Sequence, residues 1–226
     1  VMPEMNAWKV FYERVKQAAY QTDSTRGTTA IYQPIANLNS AKSAYGNIVY
    51  NKAPAFLRQA EFYLGEDKFQ TAVRAFLKKH EYANAGWEDL VKEFQAAPGG
   101  NQQLAPPQYL PNWAEAWVTR PGLSIVRTYT DDSTPGFRGK GNDTKDVPLV
   151  QYQPSQMNQT SSPAMRPSLL FQTLIKYEDG SQEIRESFLP QSAGTSTDIR
   201  RGKPRIEFVF PNYQDYGYGI FLLDDK

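Results

Sequence analysis

A chain of 226 residues with 40% hydrophobic and 22% charged residues has ordinary globular composition and room for one large domain or two small ones. Its formal charge of +1, with the signs interspersed, leaves no basic stripe to neutralise phosphates, which argues against a nucleic-acid partner. The lack of cysteine excludes disulfides, thiolate metal sites and cysteine nucleophiles and leaves the compartment open, and one histidine, His80, is too few for a zinc hydrolase site built from this chain alone.

No apolar run approaches the roughly 18 to 20 residues that span a bilayer, and residues 1–7 carry neither the basic nor the apolar region of a signal peptide. The chain opens with Val1, which points to a piece of a longer protein.

Trp8, Phe11, Tyr12, Val15 and Ala19 recur at helical spacing and predict an amphipathic helix over 3–21. Residues 23–43 read as loop. Pro54 suits the first turn of the next helix, where its missing N–H goes unnoticed, and Gly65 supplies the stop. Between them Phe56, Leu57, Ala60, Tyr63 and Leu64 form one face. Asp67 is placed to cap a third helix bearing Phe69, Ala72, Val73, Phe76 and Leu77. Asn84 is placed to cap a fourth bearing Trp87, Leu90, Val91 and Phe94, which Pro98-Gly99-Gly100 would end. A proline-rich connector from Pro106 leads to a short aromatic helix over 112–118.

After Gly122 the period shifts to that of strands. Residues 123–130 alternate, and 169–177 and 181–189 flank Asp179-Gly180, a hairpin signal. Residues 205–210 and 218–223 add two strands across the turn-rich Pro211-Asn212-Tyr213, while 131–142 and 154–163 read as exposed loops. The expected class is α+β: an N-terminal α-helical subdomain over 1–120, followed by a small antiparallel β-sandwich over 121–226.

Few residues offer chemistry. His80 ends a helical pattern after Lys78 and Lys79, where cationic groups favour the helix dipole, so its role is structural. Tyr213, Tyr216 and Tyr218 could make an aromatic platform for a sugar, although such residues more often close a core. Tyr45 and Tyr50 stand just before the Pro54 helix, where a phenol can face a cleft instead of packing.

The run Ile48-Val49-Tyr50-Asn51-Lys52-Ala53-Pro54, followed by Leu57-Arg58-Gln59, Leu64-Gly65-Glu66, Phe69, Phe76-Leu77-Lys78-Lys79-His80, Tyr82-Ala83-Asn84-Ala85, Trp87 and Asp89-Leu90, resembles the gluzincin aminopeptidases, the family of aminopeptidase N and leukotriene hydrolase. Trp113, Trp117 and Arg120-Pro121-Gly122-Leu123 resemble the exit of their catalytic domain. Phe208 to Asp224, with Pro211-Asn212 and Gly217-Tyr218-Gly219, resembles the β-sandwich that follows.

The resemblance implies the later half of that catalytic domain plus the sandwich. In the family, zinc held by two His and a Glu activates water, and a downstream tyrosine hydrogen-bonds the developing oxyanion. By motif position that tyrosine is Tyr50, with Tyr45 as a supporting residue of the substrate pocket. Neither the His-Glu-x-x-His helix nor the Gly-x-Met-Glu-Asn strand occurs in this sequence. The chain is therefore expected to hold no metal or cofactor itself and to be inactive alone. Zinc, peptide substrates and the upstream zinc-binding part, as its partner, would belong to the parent. The alternative is a non-catalytic module, derived from the same family, that binds peptides or a partner. Separation from the zinc half would expose apolar surface, with partial disorder over 23–47 or association as the expected result.

Overall fold

The structure, a computed structural model, describes residues 3–97, 109–131, 149–156, 167–190, 195–198 and 204–223. A short 3-10 turn, Pro3–Met5, leads into one helical rod made of α1 (Ala7–Val10), the π-helical π1 (Phe11–Lys16) and α2 (Gln17–Asp23). Then follow α3 (Leu38–Ala44), π2 (Ile48–Lys52), α4 (Ala53–Leu64), α5 (Glu66–Lys79), α6 (Trp87–Ala96) and α7 (Leu110–Thr119). The seven strands come after α7: β1 (Ser124–Asp131), β2 (Leu149–Gln156), β3 (Leu169–Tyr177), β4 (Gln182–Leu189), β5 (Thr195–Asp198), β6 (Ile206–Tyr213) and β7 (Ile220–Leu222). The chain is α+β, as its change of period predicts. Among the described residues no helix is long and apolar enough to cross a membrane.

Several expectations need correction. Within the stretch read as loop over 23–43, Leu38 opens α3 because the Asn37 side chain accepts from the Ser40 N–H and caps it. The caps of α5 and α6 are Gly65 and Gly86, not Asp67 and Asn84; the Asp89 carboxylate closes the α6 terminus by accepting from the Gly86 N–H at 3.1 Å. On the first rod Trp8 and Tyr12 are exposed, and the buried face is Lys16, Ala19, Tyr20 and Asp23. That face is half polar because it meets backbone carbonyls and charged groups of the later chain. Pro154 lies inside β2 instead of opening a loop. The predicted helix stop at Pro98-Gly99-Gly100, connector residues 106–108, and loops over 132–142 and 157–163 lie outside the described residues.

The strands form two sheets, ordered β5-β2-β1-β7 and β4-β3-β6. The Asp179-Gly180 hairpin is present, setting Leu169 opposite Leu189 and Lys176 opposite Gln182. The sheets share a core through Val126, Phe171 and Ile175, and the rings of Phe171 and Phe221 meet at 5.1 Å. One pair departs from the antiparallel expectation, since β7 runs parallel to β1 with Ile125 opposite Ile220. The cause is a corner after β6 that carries the chain from one sheet to the other.

That corner is costly and firmly held. Asn212, Gln214 and Asp215 all have positive φ, at 56°, 61° and 58°, a region that disfavours side chains by about 1–2 kcal/mol per residue. Its carbonyls are seized by the helices: Arg58 donates to Gln214 O at 3.1 Å, and Lys16 Nζ donates to Asp215 O at 3.2 Å and Gly217 O at 2.6 Å. Gln59, fully buried, donates to Leu170 O and to Tyr216 O (2.7 Å) and accepts from the Leu170 N–H (2.9 Å). The glycines that follow have steric reasons. A Cβ on Gly219 would stand 2.8 Å from Ser124 O, and one on Gly217 would stand 2.8 Å from Asn212 Oδ1. Apolar closure comes from α7, where Trp113 and Trp117 both donate their indole N–H to Ser168 O at 3.2 Å.

Replacing Gln59 with Ala strands three backbone groups, and each orphaned buried group costs about 1–3 kcal/mol. Urea unfolding is therefore expected to show a loss of at least about 2 kcal/mol for Gln59→Ala. A second expectation concerns pH. Burial lowers the Lys16 ammonium to about 8, against the pull of the Asp215 carboxylate 2.8 Å away. Between about pH 8 and the ordinary lysine value of 10.5 the unfolded chain then binds more protons at Lys16 than the folded one. Folded stability should rise over that window relative to Lys16→Met, a difference that paired unfolding curves at pH 7 and pH 10 would reveal.

Candidate functional site

Tyr50 does not precede a helix; it stands inside one. Pro54 has no N–H to offer the carbonyl four residues back, which is that of Tyr50, and the ladder widens so that the Ala53 N–H reaches Ile48 O. The result is π2, joined directly to α4. The Tyr50 N–H donates to Gly46 O at 3.0 Å, tying the turn to the segment that leaves α3.

Tyr45 is the C-terminal cap of α3, and the structure brings it onto Tyr50: the rings stack at 6.0 Å and 26°. Both are open to solvent, 63% and 61% exposed. Beside them Tyr45, Ile31, Tyr32, Ile35, Ala44 and Val49 line a cavity of about 250 Å³. The wall is largely apolar, with Gln33 and the phenols of Tyr32 and Tyr45 as its polar members. His80 takes no part; it caps the C-terminus of α5, with its ring 5.2 Å from that of Phe76.

Below this exposed edge lies a buried charged pair. Lys52 Nζ meets Asp23 Oδ2 at 2.7 Å, both side chains are fully buried, and Lys52 also donates to Gly122 O at 3.1 Å. Asp23 Oδ1 accepts from the Gly122 N–H at 2.8 Å and from Thr28 Oγ1 at 2.6 Å, while Oδ2 accepts from the Tyr218 hydroxyl at 3.1 Å. Burial pushes the Lys52 ammonium below the usual lysine value, and its carboxylate partner opposes that shift. Burial and the charge of Asp23 drive the Tyr218 phenol upward, so it stays a donor. A sugar platform is thereby ruled out at two of its three tyrosines. Tyr218 is closed into this network, and Tyr216 is stacked on Phe62 at 4.3 Å and on the Arg58 guanidinium at 4.5 Å.

Residues 1–109 match the Peptidase family M1 domain. This part of the chain belongs to peptidase family M1. Over 224 residues the chain is 26% identical to an aminopeptidase N of Streptomyces lividans, covering 98% of this chain and 25% of that protein. It is 30% identical to a leucyl aminopeptidase of Saccharolobus solfataricus over 127 residues, 56% of this chain and 15% of the relative. Likewise it is 31% identical to the mitochondrial aminopeptidase 2 of Saccharomyces cerevisiae over 129 residues, 57% of this chain and 13% of the relative. The chain thus spans a quarter or less of the length of these relatives.

Among the described residues of this M1 segment no three His, Cys, Asp or Glu side chains come together in a group that could hold a metal ion. What sequence reasoning passed over is the buried cluster of Asp23, Lys52 and Tyr218, in which Lys52 stands two residues after Tyr50. A signal was present, because Lys52 lies four residues before Phe56 and eight before Ala60, on their buried stripe. A lysine on an apolar face implies an internal partner.

The segment between Asp23 and α3 has few such ties, among them Thr28 Oγ1 to Asp23 and the Tyr32 N–H to Val118 O at 2.8 Å. Amides of residues 33–37 should accordingly exchange with solvent far faster than those of α4. Protection over 33–37 equal to that of α4 in a monomeric sample would contradict this weak tethering.

Proposed function

We propose that this chain is the later part of a zinc aminopeptidase, with residues 1–120 completing the catalytic domain and 121–226 forming the β-sandwich domain that buttresses it. In the parent, Tyr50 donates a hydrogen bond to the oxyanion that forms when the first peptide bond of a substrate is attacked. Tyr45 and the cavity beside it form part of the pocket wall. Zinc and the general base belong to upstream sequence, so this chain alone is inactive.

The observation that carries the reading is the pairing of motif and exposure. The tyrosine in the motif position is 61% exposed and stacks on Tyr45, which lines a largely apolar cavity. A neutral phenol suits the task, since it gives up a hydrogen bond as negative charge develops without adding a charge of its own. The names of the relatives support the reaction class, for each is an aminopeptidase.

Tyr50→Phe keeps the ring and its stack on Tyr45 and removes only the donor. In the full-length protein, assayed on peptides with a free amino terminus, this change should lower kcat by about a hundredfold to a thousandfold with KM little altered. Chelation should abolish the activity and added zinc restore it. A full-length protein that binds peptides without cleaving them, with zinc supplied, would instead support a non-catalytic binding module.

A further inference from the structure

We propose that the buried Asp23–Lys52 pair is the positioning device for Tyr50, and that Tyr218 makes the β-sheets part of that device; this rests on the reading of Tyr50 as an oxyanion donor. An exposed ring whose stacking partner, Tyr45, is itself exposed gets its position from the backbone beneath it. In π2 that backbone is pinned at its last residue. Lys52 is two positions after Tyr50, about half a turn around the helix, so the inward anchor of one and the outward aim of the other are a single rotational setting.

The anchor draws on three separate parts of the chain. Asp23 is the last residue of α2, Gly122 lies at the passage from α7 to β1, and Tyr218 stands two residues before β7. Gly122 both donates to Asp23 and accepts from Lys52, so neither charged group can shift without breaking a contact at that junction. The Tyr218 hydroxyl holds Asp23 Oδ2, and its ring lies 5.5 Å below the Lys52 ammonium. A smaller tie runs along the exposed flank, from Asn51 to Asn47 Oδ1 (3.1 Å) and from Asn47 to Thr22 Oγ1 (2.9 Å), but it is open to water. The buried pair resists rotation of the turn without competition from water. Oxyanion stabilisation depends on donor placement, and a displacement of about 1 Å can cost about a hundredfold in rate.

The test is a double-mutant cycle in the full-length protein, with zinc supplied, joining Lys52→Met and Tyr50→Phe and reading kcat and KM on a peptide substrate. Lys52→Met alone should lower kcat by about tenfold to a hundredfold with KM within about twofold, and Lys52→Met added to Tyr50→Phe should lower it no further. A merely structural role would reduce both backgrounds by the same factor, and that result, or an unchanged kcat for Lys52→Met while Tyr50→Phe is impaired, overturns the positioning role alone. An unchanged kcat for Tyr50→Phe removes the oxyanion assignment and the proposal with it. Should Lys52→Met fail to fold, Tyr218→Phe takes its place in the cycle. Having lost one hydrogen bond to Asp23, it should lower kcat by about threefold to tenfold in the Tyr50 background only.

Discussion

Two opposite charges with no exposed surface, Asp23 and Lys52, organise this structure. Removing one partner of such a pair typically costs about 3–5 kcal/mol, because the other is left charged and unsolvated; a domain's total stability is only about 5–15 kcal/mol. The remaining hydrogen-bonding capacity of the pair is taken up by Thr28, Gly122 and Tyr218, so the end of α2, the start of β1 and the approach to β7 must meet at one point. Apolar contacts tolerate sliding. A fully satisfied polar cluster in a low-dielectric interior does not, and it specifies one arrangement.

The same logic runs along the contact between helices and sheets. Lys16, Arg58 and Gln59 do not chiefly pair with side chains there; they capture carbonyls of residues 214–217 and of Leu170. A corner with three side-chain-bearing residues at positive φ is unfavourable by itself and persists with the helices bonded to its carbonyls at residues 214–217. The Arg58 guanidinium, 3.5 Å from the centre of the Trp8 ring on one side and 4.5 Å from that of Tyr216 on the other, joins the N-terminal rod to this corner. The sheets are thus a buttress. Tyr216 and Tyr218, in the loop before β7, pack against Phe62 and Tyr20 of the helices.

Much of the architecture was legible in the residues. The switch from helical to strand period after Gly122, the hairpin at Asp179-Gly180 and the aromatic helix before β1 all stand where local pattern placed them. The motif around Tyr50 led to family M1, and the structure put Tyr45 against Tyr50. Less legible were features whose cause is distant in sequence. The polar face of the first rod, the parallel pairing of β7 with β1 and the inward turn of Lys52 each depend on groups from about 30 to 200 positions away, and no local period encodes a partner at that range.

By itself the sequence determined the kinds of element and their order, because helix and strand follow from side-chain periodicity and from where Gly and Pro interrupt it. It also singled out Tyr50 among the phenols, through the motif around it. Only the tertiary structure decided how that phenol is held. Whether Lys52 faces water or a carboxylate is a question of burial, and burial is settled when Asp23, Gly122 and Tyr218 converge on the ammonium and replace its water.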